Sequence, residues 1–155
     1  MPEAAARPAQ GAAATQTDPY GSYNFKLVIQ GVTEGHFTYC TGLGVRIHAH
    51  RHREGGASQI VHRLPGRVEY SDVVLRYGLT NSRELWTWLE SAAKGQVQRR
   101  NVSIILLAAD GVTEGVRFNL LNAWPSAWVG TPLDALGNEV ALEELTLVYE
   151  MLERA

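Results

Sequence analysis

A single cysteine, Cys40, stands in a chain of 155 residues. An internal disulfide is therefore excluded, and the thiol usage fits a reducing compartment. No stretch is apolar enough, for long enough, to cross a bilayer as a helix. Charge of one sign is also lacking: 14 basic residues face 16 acidic ones, for a formal net charge of −2. No strong overall field draws the chain onto nucleic acid. Basic residues do gather locally, between Arg46 and Arg53 and at Arg99 and Arg100. Active-site signatures are missing as well. Gly42 and Gly44 have no third glycine and no following helix, so they make no phosphate loop. Cys40 has no base nearby with which to form a dyad, and a structural thiol is the stronger reading. Glu143 and Glu144 adjoin, with no second acidic cluster to complete an acid/base pair. The expectation is a chain without catalytic residues, cofactor or metal.

What is present is a globular composition, 45% hydrophobic, in a length that suits one domain with a real core. The first residues, MPEAAARPAQGAAATQT, are rich in alanine but lack a basic segment followed by a leucine-rich or valine-rich one. They read as a disordered arm over residues 1–18 rather than a signal peptide, with docking onto a neighbour as the hypothesis for its role. The folded domain is expected over residues 19–155.

Most of that domain has the two-residue period of strands. Tyr23, Phe25, Leu27 and Ile29 alternate with polar residues, and a short strand follows between Gly35 and Cys40. Val73, Leu75 and Tyr77 point one way while Asp72, Val74 and Arg76 point the other. Residues 102–108, VSIILLA, form an apolar run suited to a strand buried on both faces. Asp110-Gly111 signals a turn into a partner strand through Val116, Phe118 and Leu120. Trp124-Pro125 marks a bend, with extended chain resuming near Trp128 and a loop from Thr131 to Asn138. The last stretch, from Glu139 to Glu153, fits a helical stripe and a strand equally well on its spacing.

One helix is expected. Asn81 is placed to cap it, with Glu84 three residues on to complete a capping box, and Gly95 to stop it. Leu85, Trp88, Leu89 and Ala92 fall at i, i+3, i+4 and i+7 and share a face. With Leu75 from the preceding strand, Leu85, Trp88 and Leu89 are the expected core. Trp86 lies two positions from Trp88, so it cannot share that face and should pack on a second surface.

The segment VRIHAHRHREGGASQIVHRL, from Val45 to Leu64, reads as a two-stranded ribbon with Glu54, Gly55 and Gly56 near its tip. It has too few large apolar residues for a core of its own. An isolated ribbon is marginal in water, so it should be ordered by a partner. His48, His50 and His52 would share one face. They could offer imidazoles to a metal, but only His62 stands nearby as a further ligand, and solvated or interface histidines are the stronger reading. In an interface they could make assembly sensitive to pH.

The longest distinctive pattern runs from Leu64 to Asn101, LPGRVEYSDVVLRYGLTNSRELWTWLESAAKGQVQRRN. Its LPGxxxYxDxxLRxGLTxSRELWxW core, with the QRRNxSIxLL exit beginning at Gln98, resembles the tube proteins of contractile phage tails and phage-tail-like injection particles. Further matches lie at Asn122-Ala-Trp-Pro-Ser126, Gly137-Asn-Glu-Val-Ala141 and Leu152-Glu-Arg154. The resemblance covers the chain from about Tyr20 onward.

It implies a mainly β, α+β domain: a small β-barrel or sandwich flanked by one α-helix, of the Hcp-like tail-tube kind, ending in a long strand. It implies a hexameric ring of this chain, rings stacked into a hollow tube, and inner sheets joined into one barrel around the channel. The ribbon, residues 45–64, would reach the adjacent ring, making Arg46, His48, His50, His52, Arg53, Glu54, Gly55 and Gly56 inter-ring contacts. Trp86, Lys94, Arg99 and Arg100 would lie outward, toward the sheath or another subunit. Implied partners are the sheath, baseplate or hub and tube-terminating proteins, with DNA or protein cargo in the lumen. The subunit itself is not expected to insert into a membrane. Assembly would occur in the bacterial cytoplasm, into a virion or a released or anchored particle. Three other readings stay open: a baseplate-proximal tube initiator, a monomeric barrel that binds a small ligand, and a metal-dependent role for the histidines.

Overall fold

In the computed structural model, residues 20–21, 24–30, 37–56, 59–78 and 83–155 are described. The expected arm over residues 1–18, Tyr23 at the head of the first strand, Gly35, and Asn81 as a cap lie outside them. The described elements are β1 (Phe25–Ile29), β2 (Phe37–Thr41), β3 (Val45–His52), β4 (His62–Tyr70), β5 (Val73–Gly78), α1 (Glu84–Ala93), β6 (Arg100–Leu107), β7 (Glu114–Val129), β8 (Leu142–Val148) and β9 (Met151–Arg154). Among the described residues the protein is thus mainly β with one helix.

Seven strands form one antiparallel sheet in the order β1-β6-β7-β8-β5-β2, with β9 paired on β7; β3 and β4 form a separate ribbon. The long strand β7 organises the sheet. Its first half pairs with β6 on one side and β9 on the other, and its second half pairs with β8. Between the halves Asn122 takes a φ of 53°, and the pairing slips between Pro125 and Ala127. Positive φ and a bulge turn a strand sharply, so β7 carries the chain from one layer to the other, as strands do at sandwich corners. The sequence reading put a bend at Trp124-Pro125. The strand instead runs on through Pro125, whose missing donor is tolerated beside the slip.

The layers face each other because each strand's apolar alternation points inward. Ile29, Val102, Ile104 and Leu120 come from one side and Val73, Leu75, Leu145 and Leu147 from the other, and all join Leu85, Trp88 and Tyr149 in one core. Leu89 packs half-buried against it. Ile105 is buried on the opposite face of β6, as its apolar run implied. The sheet does not close into a barrel. β1 pairs with β6 and β2 with β5, but β1 and β2 stand at opposite ends of the hydrogen-bonded order. Of the two forms left open by the sequence, the folded-over sandwich is present and the single-chain barrel is not.

The ambiguous C-terminal stretch is strand, in two pieces. Leu145 and Leu147 are wholly buried from β8, which outweighs the helical propensity of the segment. At Tyr149 and Glu150 the chain crosses over, and β9 adds to the other layer. The long terminal strand of the resemblance is therefore broken once.

The described helix begins at Glu84, with Arg83 at its N-cap. Its end follows expectation: Gly95 has a φ of 84°, Gly95 N–H donates to Ala92 O at 3.1 Å, and Gln96 N–H donates to Ser91 O at 2.9 Å. This paired arrangement satisfies the carbonyls at a helix terminus and favours glycine. The turn after β6 is held by Asp110, whose carboxylate accepts the Val112 and Thr113 N–H groups at 2.9 Å and the Thr113 hydroxyl at 2.6 Å. Those bonds, the hydroxyl's first, pull its pKa down to about 2. No helix among the described residues is long and apolar enough to cross a membrane.

Candidate assembly surfaces

Three surfaces stand out, and the ribbon is the first. It is rooted on β5: Ser71 N–H donates to Gly44 O at 3.0 Å, and Gly42, with φ 96°, lies so close that a Cβ would sit 2.0 Å from Asp72 O. Only glycine accepts both that φ and that approach. The ribbon runs to Tyr70, beyond the expected Leu64, because Pro65 and Gly66 are absorbed rather than ending it. The register slips between Ile47↔Val68 and Ala49↔Pro65. At Gly66 a Cβ would meet the His50 ring at 2.5 Å, so the imidazole lies across a bare backbone.

The two faces of the ribbon differ in chemistry. One carries Val45, Ile47, Ala49, Pro65 and Val68, with Arg51 and Arg63 toward the tip; Val45 and Ile47 are 55% and 58% exposed. The other carries Arg46, His48, His50, His52, His62 and Glu69. His48 Nε2 lies 2.7 Å from Glu69 Oε2. That hydrogen bond, then the charge of Arg67 at 3.7 Å, lowers the Glu69 pKa. Toward the tip, Arg51 stands opposite Arg63 and His52 opposite His62. Like charges facing each other across strands are destabilising unless an anion lies nearby. Arg53, Glu54, Gly55 and Gly56 follow at the exposed tip. Among the described residues no His, Cys, Asp and Glu group could hold a metal ion.

The second surface is the helix and its exit. Trp86 packs edge-on against Trp128, centroids 5.1 Å apart, and stays partly exposed. Trp88 turns inward instead, and its Nε1–H donates to Gln98 O at 2.6 Å. Lys94 pairs with Glu90 at 2.8 Å within the helix. Arg99 forms an ion pair with Glu150. Arg100 lies 5.3 Å from the centre of the Trp88 ring and donates to Gln98 Oε1 at 3.2 Å. The exit cations thus have partners within the chain, which the local sequence gave no means of seeing.

The third surface was missed altogether. Between β7 and β8, residues 130–141 form a loop on which Leu133 and Leu136 are 88% and 94% exposed, with Val140 similarly open. Beside it is an open cleft of about 250 Å³, lined by Arg76, Val129, Pro132, Leu142, Glu143 and Glu144 among others. Arg76 Nε donates to Glu144 at 3.0 Å, and Trp128 Nε1–H donates to Glu143 at 3.3 Å. Burial first, then Glu143, raises the Tyr77 pKa. The available signal was the apolar spacing Leu133, Leu136, Val140 in a segment that otherwise reads as loop.

Cys40 lies half-buried, and burial pushes its thiol pKa up to about 11. Its thiolate fraction at neutral pH is therefore small. Native protein should react with iodoacetamide at pH 8 far more slowly than urea-unfolded protein does; equal rates would show that the burial is wrong.

These are surfaces for packing, with no catalytic constellation among them. The family model for the T4-like virus tail tube protein gp19 matches residues 21–153. The chain belongs to this tail tube family. It is accordingly a structural, non-enzymatic tail tube subunit. No curated protein sequence matches it. Several solved structures do. A chain of the six-fold symmetrised baseplate of the anti-feeding prophage is 25% identical, with a TM-score of 0.76 over 90% of this chain and 97% of that one. A chain from the tube-terminating cap of the same prophage is 22% identical, with a TM-score of 0.82 over 93% and 95%. A chain from the extended sheath-tube complex of the PVC extracellular contractile injection system is 23% identical, with a TM-score of 0.81 over 93% and 99%. The last two likenesses establish the tail-tube fold.

Proposed function

We propose that this tail tube protein is the repeating inner subunit of a contractile particle. Six copies form a ring, rings stack, and the hollow tube is driven through a target envelope when a surrounding sheath contracts. The observation that carries this reading, beside the family, is the open layer β1-β6-β7-β9. Among the described strands, β1 and β9 are its two edges. Edges left unpaired are a liability, and a ring in which each copy's sheet continues into the next removes them. Charge agrees with that continuation: on the face away from the core, β1 carries Lys26 and β9 carries Glu153, which adjacent copies would bring together.

In this reading the sheath meets the outward side near Trp86, Lys94, Arg99 and Arg100. The ribbon, with Arg46, His48, His50, His52, Arg53, Glu54, Gly55 and Gly56, meets the adjacent ring. A baseplate or hub and a terminating protein close the two ends. Assembly takes place in the bacterial cytoplasm, and protein or DNA cargo occupies the lumen. Relatives solved within a baseplate, a cap and a sheath-tube complex support this set of partners.

The test is negative-stain electron microscopy of the purified chain beside its light-scattering mass. Rings or tubes with a central hole are expected, with mass rising with concentration. A strict monomer at high concentration, even with a baseplate template supplied, would refute the reading.

A further inference from the structure

The strongest unassigned feature is a polarity along the domain. β5 runs from Val73, paired with Leu147, to Gly78, paired with Leu142. The ribbon leaves at the Val73 end, where Ser71 is bonded to Gly44 and Gly42 abuts Asp72. The 130–141 loop leaves at the Gly78 end, since it joins Val129 to Leu142. Ribbon and loop therefore project from opposite ends of the same layer, roughly 17 Å apart at their roots by the rise of a strand.

The two ends are complementary. Residues 50–64 hold Arg51, Arg53 and Arg63 against Glu54 alone, a net +2, together with His50, His52 and His62. Residues 130–144 hold Asp134, Glu139, Glu143 and Glu144 and no Lys or Arg, a net −4. The chain as a whole carries only −2, so the separation is between its ends. Each end also exposes aliphatic side chains: Ile60 and Leu64 on the ribbon, and Leu133, Leu136 and Val140 on the loop. Opposed Arg51 and Arg63 on the ribbon leave unrelieved repulsion that a carboxylate surface would relieve.

We propose that the cationic end of the ribbon docks on the loop and cleft formed by residues 130–144 of a second copy. The contact is head to tail, so each copy offers one donor end and one acceptor end. Heterologous contacts of this kind propagate without closing. The inference rests on the tube reading and names the partner of the ribbon within it. Arg53 and Arg63 meet Asp134 and Glu139, while Ile60 and Leu64 cover Leu133 and Leu136. The charge pairs set register and steering, and the aliphatic contacts exclude water around them.

The experiment is a charge reversal with rescue, read by electron microscopy and light scattering. The variant Arg51→Glu/Arg53→Glu/Arg63→Glu should form rings but no tubes. The variant Asp134→Lys/Glu139→Lys should do the same. Mixing the two, so that reversed ribbons meet reversed loops, should restore stacking, and raised salt should shorten wild-type tubes. Tubes from the ribbon variant alone, or no rescue on mixing, would overturn the docking. A second measurement does not depend on charge. In a Cys40→Ala background, Arg53→Cys with Glu139→Cys should give disulfide-linked ladders longer than a ring. Ladders that stop at one ring's worth of subunits, or no ladder, would also overturn it. Failure of the tube reading itself shows separately, as wild-type protein that forms neither ring nor tube.

Discussion

Replacing Trp88 with alanine is expected to lower the stability of the folded subunit by about 3–5 kcal/mol. Trp88 is 1% exposed and lies where the helix meets the sheet core. Its removal leaves a cavity in the core that Trp88 shares with Leu75, Leu85 and Leu147. It also strips the Gln98 carbonyl of its 2.6 Å donor and Arg100 of the ring it lies over. Whole domains are held by about 5–15 kcal/mol, so this is a large share. For a domain of this size the melting temperature should fall by roughly 6–20 °C. Trp86→Ala should cost far less, because Trp86 touches Trp128 at the surface. Equal losses for the two tryptophans, measured by urea or thermal unfolding, would show that the inward and outward assignments are wrong.

Ile47→Glu combined with Val68→Glu should do the opposite: abolish tubes while leaving the monomer's melting temperature nearly unchanged. These residues face each other across β3 and β4, and both are exposed on the apolar face of the ribbon. Carboxylates there meet water in a monomer, and their mutual repulsion across the strands should cost no more than about 1 kcal/mol. If a neighbour covers this face in a stack, two unpaired carboxylates would be desolvated at high cost. Sedimentation and electron microscopy would read the loss of assembly, and circular dichroism the retained fold. Tubes of normal length from this variant would mean that the apolar face is not buried on assembly.

The contrast between these variants follows from how much was legible in sequence. Around Leu145 the spacing left helix and strand equal, but period-two alternation located the strands around Leu27, Leu75 and Phe118, because burial on one face forces that period whatever the partner is. The i, i+3, i+4 spacing separated Trp88 from Trp86 for the same reason. The ribbon was legible from its alternation and its glycines, but its length was not. Pro65 and Gly66 disfavour strands by themselves, and only the slip beside Ala49 and the bare backbone under His50 let β4 continue to Tyr70. The Gly95 stop of the helix was legible because a left-handed residue at a helix end favours glycine, and Gly95 has a φ of 84°.

By itself the sequence determined a strand-rich domain with one amphipathic helix, and its likeness to the tail tube family through its tryptophans and its LPG and QRRN segments. Local periodicity suffices for the strands and the helix, whereas the family comes from likeness of the longer pattern to known tube proteins. Tertiary structure alone decided that the sheet stays open, that β7 changes layers at Asn122, and that Arg99 is held by Glu150. It also decided that ribbon and acidic loop stand at opposite ends. Each of these depends on pairing between residues far apart in the chain, and register at such distances is set by the whole packed core rather than by any segment's own preference.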